Sequence, residues 1–116
     1  DEIMKQIVLN GCYGCFGLSE CAIELYRELG GNKITRYGFD RCDPILIEVI
    51  KRLGEEADGD YAALYIEEFD ERYDYHIADY DGYETLKTSV NENILRSLIK
   101  EEDEDKIVEY VMGARA

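Results

Sequence analysis

The sequence predicts a small α/β protein on the α+β border, with a mixed sheet, the element order β-α-β-α-β-β and a C-terminal helical tail. Three observations carry this. Short β-branched runs ended by glycine alternate with helical apolar stripes up to Leu53. Two aromatic, β-branched segments separated by a polar tripeptide follow. Helical spacing then returns from Val90 onward. A chain of 116 residues fills one core, so residues 4–89 are expected to form the α/β domain and 90–116 an amphipathic tail packed on it or on a partner.

Lys5 to Asn10 is short and β-branched, and Gly11 breaks it, which predicts a buried strand. Residues 1–3 are set aside because Met4 reads as a start residue. Ser19 is a good N-cap, and Leu18 and Ile23 occupy the two positions of a hydrophobic staple. Helix one then runs over residues 20–29 with the stripe Ala22, Leu25, Tyr26 and Leu29, and Gly30-Gly31 stops it. Lys33 to Tyr37 reads as a second strand, parallel to the first through a right-handed crossover. Asp43-Pro44 is a cap followed by the proline favoured at the first helical position, so helix two spans Pro44 to Leu53. Its apolar side chains lie nearly all round, which implies burial on more than one side or a partner surface.

Tyr61 to Phe69 and Tyr73 to Ala78 are expected to pair as an antiparallel hairpin around Asp70-Glu71-Arg72. The tyrosines at 61, 65, 73, 75, 80 and 83 read as cross-strand packing and His76 as a strand residue. Asp79-Tyr80-Asp81-Gly82 echoes a calcium loop but lacks its third carboxylate and distal glutamate, so it reads as a turn. Ile94, Leu95, Leu98 and Ile99, then Ile107, Val108, Val111 and Met112, form two short amphipathic helices split by the acidic run Glu101 to Asp105. The apolar faces of helix two and of the tail predict a homo-oligomer.

The net charge is −14, with 8 acids and 7 bases in residues 1–54 against 19 acids and 6 bases in residues 55–116. Such a surface repels phosphate backbones and anionic lipid, so neither direct nucleic-acid binding nor membrane binding is expected, and a basic host protein is a fitting partner. No apolar run is long enough to span a bilayer and no secretory signal precedes the first strand, so the expected location is the cytoplasm.

Ligands in open α/β sheets collect where strands run into helix N-termini. Two loops fit that position: Gly11-Cys12-Tyr13-Gly14-Cys15-Phe16-Gly17-Leu18-Ser19 and Gly38-Phe39-Asp40-Arg41-Cys42-Asp43. All four cysteines, Cys12, Cys15, Cys21 and Cys42, lie in or beside them with the spacing C-x2-C-x5-C-x20-C. Thiolates near helix N-termini are stabilised, so one expectation is a zinc or iron-sulfur centre on these four sulfurs. A second is a redox dithiol at Cys12 and Cys15, although helix one starts at Ser19 and Pro44 opens a helix where a thioredoxin-like fold keeps a cis-proline before a strand. The third is four reduced thiols serving as small hydrophobes. Gly11, Gly14, Gly17 and Ser19, with Arg41 and Asp43 nearby, could cradle an anion, although a tight turn accounts for the glycines as well. No triad order or catalytic carboxylate pair stands out, which leans away from an enzyme.

Asn10 to Ser19, Arg41 to Ile50, Leu53 to Ala57, and Glu84 after Tyr80-Asp81-Gly82-Tyr83 together resemble a group of small phage-encoded proteins of uncharacterised role. Those proteins share a C-[YF]-G-G-F-[GS]-L-S loop and a later R-D-D-P segment. The resemblance covers about residues 4–85 and implies a phage or prophage origin, a host-cytoplasmic location and no assigned activity. Cys12, Gly14, Phe16, Leu18, Ser19, Asp43 and Pro44 match the pattern by position. Cys15 stands where the group has glycine and Cys42 where it has aspartate, departures that mark either an added metal site or introduced thiols. The function expected from all of this is a four-cysteine metal or cluster protein; the alternatives are an acidic inhibitor of a basic host protein and a dithiol redox protein.

Overall fold

A computed structural model describes residues 4–32 and 38–114. The predicted strand over 33–37 and its parallel crossover lie outside the described residues. The fold is a mixed α+β arrangement with helices at the C-terminus: β1 (Met4–Asn10), α1 (Glu20–Glu28), α2 (Pro44–Leu53), a 3-10 turn (Gly54–Ala57), β2 (Leu64–Asp70), β3 (Asp74–Tyr80), β4 (Tyr83–Ser89), α3 (Glu92–Glu101) and α4 (Glu104–Met112).

From Ile7 onward β1 is buried on both faces, which explains the apolar run Ile7-Val8-Leu9. Val8 enters a core with Phe16, Leu18, Ala22, Tyr26, Leu46 and Val49, whereas Ile7 and Leu9 point into a second core with Phe69 and Leu86. Each such side chain contributes about 1.5–3 kcal/mol. The helices start where the caps predict: Ser19 Oγ accepts from Ala22 N–H, and Asp43 Oδ1 from Ile45 N–H. The apolar girth of α2 is core, since Leu46, Ile47, Val49 and Ile50 are all buried. Tyr26 ties α1 to α2 by donating its hydroxyl to Asp43 Oδ2 at 2.6 Å, and burial followed by that bond pushes its pKa up to about 12, so the donor stays protonated.

The strand partners differ from the expected hairpin. β2 pairs antiparallel with β1, Val8 opposite Ile66, and β3 pairs antiparallel with β4, His76 opposite Lys87. The reason lies in the two connections. Between β2 and β3, Arg72 folds back onto both Asp70 oxygens while Tyr73 turns inward, and the chain passes from one sheet to the other. Between β3 and β4, Asp81 and Gly82 have φ of 52° and 90°, the two positive values of a tight hairpin turn. Asp-Gly is the stronger hairpin signal, and it selects the strand that follows it.

Tyr110 is the buried anchor of the tail. Tyr110 is fully buried, its ring stacked on Tyr73 at 4.6 Å; its hydroxyl donates to Arg72 O and accepts from Asn91 N–H. Along α3, by contrast, no residue is buried. No helix among the described residues is long and apolar enough to cross a membrane.

Candidate interaction site

At the C-terminal end of β1 a buried polar cluster gathers four stretches of chain. Asn10, with no exposed surface, accepts from Ala63 N–H through Oδ1 at 2.8 Å and donates through Nδ2 to Gly82 O at 2.7 Å and Cys12 O at 3.1 Å. Its backbone N–H donates to Glu84 Oε1 at 2.8 Å. Arg41 donates from both terminal nitrogens to the Glu84 carboxylate, at 2.5 and 2.9 Å, and its guanidinium lies 3.6 Å above the Phe16 ring. Desolvating a carboxylate is costly unless every oxygen is paired, and here both are.

Backbone contacts complete the junction. A Cβ on Gly82 would lie 1.7 Å from Gly14 O, and one on Gly14 would lie 2.1 Å from Tyr61 O. Only glycine lets the 11–17 loop sit directly on the β3–β4 turn and on residue 61. Close backbone approach to Tyr61 therefore accounts for Gly14.

Four of the anion-cradle residues, Gly11, Ser19, Arg41 and Asp43, have partners within the fold. Gly11 N–H donates to Ala63 O, and Gly17 O accepts from Gly59 N–H. Ser19 caps α1 and donates to Glu56 O, Arg41 is held by Glu84, and Asp43 caps α2. The cysteines do not assemble either, because their side chains follow separate partners. Cys12 Sγ contacts Asn10 Oδ1 and Tyr61 O; Cys21 Sγ contacts Ser19 Oγ and Glu56 O; Cys42 Sγ contacts the Tyr75 hydroxyl; Cys15 is exposed. Among the described residues no group of three or more Cys, His, Asp or Glu side chains could hold a metal ion. The four sulfurs expected to share a zinc or iron-sulfur centre, those of Cys12, Cys15, Cys21 and Cys42, are thus not brought together in this arrangement. All four are free thiols.

What the junction does display is aromatic. Tyr13, at the loop tip, packs its ring against Tyr83 at 5.3 Å and edge-on against Tyr80 at 6.2 Å. Tyr13 is 71% exposed, Tyr80 72% and Tyr83 39%, so three rings joined through Tyr13 face solvent. Tyr61, also exposed, is held beside the same loop by its carbonyl, which accepts from Cys15 N–H. Carboxylates stand around them in the chain, with Asp60, Asp79 and Asp81 all exposed. Cross-strand packing holds for Tyr80 and Tyr83, which face each other at the end of the β3–β4 ladder, but the third member comes from a loop. Asn10 and Glu84 enter the sequence reading through the resemblance, and Asn10 also as a strand end, but without a role; a polar residue closing an apolar strand, and a glutamate two residues after Asp-Gly, were the available signals.

No family model matches this chain, and no curated protein or solved structure matches it.

Proposed function

We propose that this chain is an acidic protein-binding module of the cytoplasm, which docks a basic partner protein through the cluster Tyr13, Tyr80 and Tyr83. The single observation that carries the reading is a trio of exposed rings, Tyr80 and Tyr83 each packed on Tyr13, at the buried junction and with carboxylates beside them in the chain. Tyrosines at binding surfaces supply large contact area at low entropic cost, and rings already packed together lose less freedom on binding. The charge of −14 steers a basic partner towards them. Titration against purified nucleic-acid-binding domains of strongly basic character tests it. Binding should weaken with salt, compete with the domain's nucleic acid, and fall about tenfold or more in the Tyr13→Ala/Tyr80→Ala double variant. Failure to bind any such domain, or binding indifferent to both salt and tyrosines, would contradict it.

A separate observation supports self-association through the tail. Ile99, Val108, Val111 and Met112 are exposed, Met112 by 77%. The chain exposes 7465 Å², about 1,000 Å² more than the roughly 6,500 Å² usual for its mass. Its radius of gyration of 16.7 Å likewise exceeds the about 13 Å of a compact chain this long. A standard dimer buries about 800 Å² per partner, which the excess matches. Sedimentation should show a dimer that strengthens with salt, as screening relieves the like charges, and that Val108→Ser/Met112→Ser dissociates. A monomer at all salt concentrations would overturn this.

A further inference from the structure

Twice this chain solves the same recognition problem. Arg41 lies between the Phe16 ring and the Glu84 carboxylate, and Arg72 pairs with Asp70 while its guanidinium sits 5.5 Å from the Tyr110 ring centroid. A guanidinium suits such a place because its flat face stacks on an aromatic ring while its edge donates two parallel hydrogen bonds to a carboxylate. A third set of the same parts lines a groove of about 590 Å³ that opens beside the tyrosine cluster. Tyr65 and Tyr83 supply the rings, Glu55 and Asp58 the carboxylates, and Leu64 an apolar wall, and no described basic residue lines it.

The rings are held in place from behind. Tyr65 donates its hydroxyl to Glu84 O at 3.2 Å, and Tyr83 packs on Tyr13. Asp58 is fixed by accepting from Leu64 N–H at 2.9 Å, and its own backbone bridges to Leu18. No ion pair with a described residue neutralises Glu55. The groove thus offers aromatic faces, an aliphatic wall and negative charge in one concavity that shares Tyr83 with the docking cluster.

We infer that this groove receives an arginine side chain of the basic partner, with the guanidinium over the tyrosine rings and paired to Glu55 and Asp58. The inference rests on the docking reading above and sharpens it from basic to arginine-bearing. A lysine, with a compact and strongly hydrated ammonium, gains less from the rings and cannot bridge the carboxylates in a flat fork.

The test uses the full chain and two labelled probes of equal charge, hexa-arginine and hexa-lysine, followed by fluorescence polarisation at low salt. Hexa-arginine should bind about fivefold tighter than hexa-lysine. Glu55→Gln and Tyr83→Leu should each remove that preference, whereas Asp105→Asn in the tail, with the same charge lost, should keep it. Glu55 is exposed, so its variant decides the matter even if Tyr83→Leu does not fold. Equal binding of both probes, weakened alike by Glu55→Gln and Asp105→Asn, overturns the arginine groove and leaves acidic docking standing. Binding of neither probe overturns both.

Discussion

Replacing Glu84 by alanine should destabilise the fold by about 3–5 kcal/mol, measured as a drop in the urea midpoint at unchanged slope. The side chain is 5% exposed and carries three close hydrogen bonds. Truncation strands the Arg41 guanidinium, itself only 19% exposed, and removes the acceptor of the Asn10 N–H. Leaving one partner of a buried pair uncompensated is among the most costly single changes, and a domain of this size has about 5–15 kcal/mol in total. The variant should therefore sit near its folding threshold. A loss below about 1 kcal/mol would show that the pair is solvated and that the junction has another source of rigidity.

The second large effect belongs to a single methyl group. Gly82→Ala should cost about 2–6 kcal/mol, the sum of holding alanine at a φ of 90° and of overpacking against Gly14. The added Cβ would meet Gly14 O at 1.7 Å and Gly14 C at 2.4 Å, backbone atoms that a side-chain rotation cannot clear. Gly54→Ala is the control: φ is 57° there but nothing lies within 4 Å, so only the backbone cost of about 1–3 kcal/mol remains. Thermal unfolding of the two variants side by side separates steric from conformational cost. Equal losses in both would mean that the loop does not rest on the turn.

The α1 and α2 boundaries and both tail helices were legible because caps and apolar stripes are local signals. Ser19, Asp43-Pro44 and the 3.6-residue spacing need no knowledge of the rest of the chain. Strand pairing is not local. Tyr61 to Phe69 and Tyr73 to Ala78 look like hairpin partners, yet whether Asp70 to Tyr73 closes a hairpin depends on Tyr73 finding Tyr110, which lies in the tail. The Gly- and Cys-rich loop does reach the buried junction, but its cysteines drew the eye from its tyrosine. Thiol spacing says which sulfurs could share a metal only if side-chain directions are known, and Cys12, Cys21 and Cys42 each turn to a different partner. Tyr13 could not be joined to Tyr80 and Tyr83 without knowing that Gly14 meets Gly82, a contact across 68 residues of sequence.

The most direct measurement follows tyrosine ring signals by nuclear magnetic resonance, on protein labelled only at tyrosine, while a bound basic domain is titrated in. The account predicts that Tyr13, Tyr80 and Tyr83 shift together and to saturation, whereas buried Tyr26, Tyr73 and Tyr110 stay put. Shifts confined to tyrosines outside that trio, or small drifts spread evenly over all ten, would contradict it.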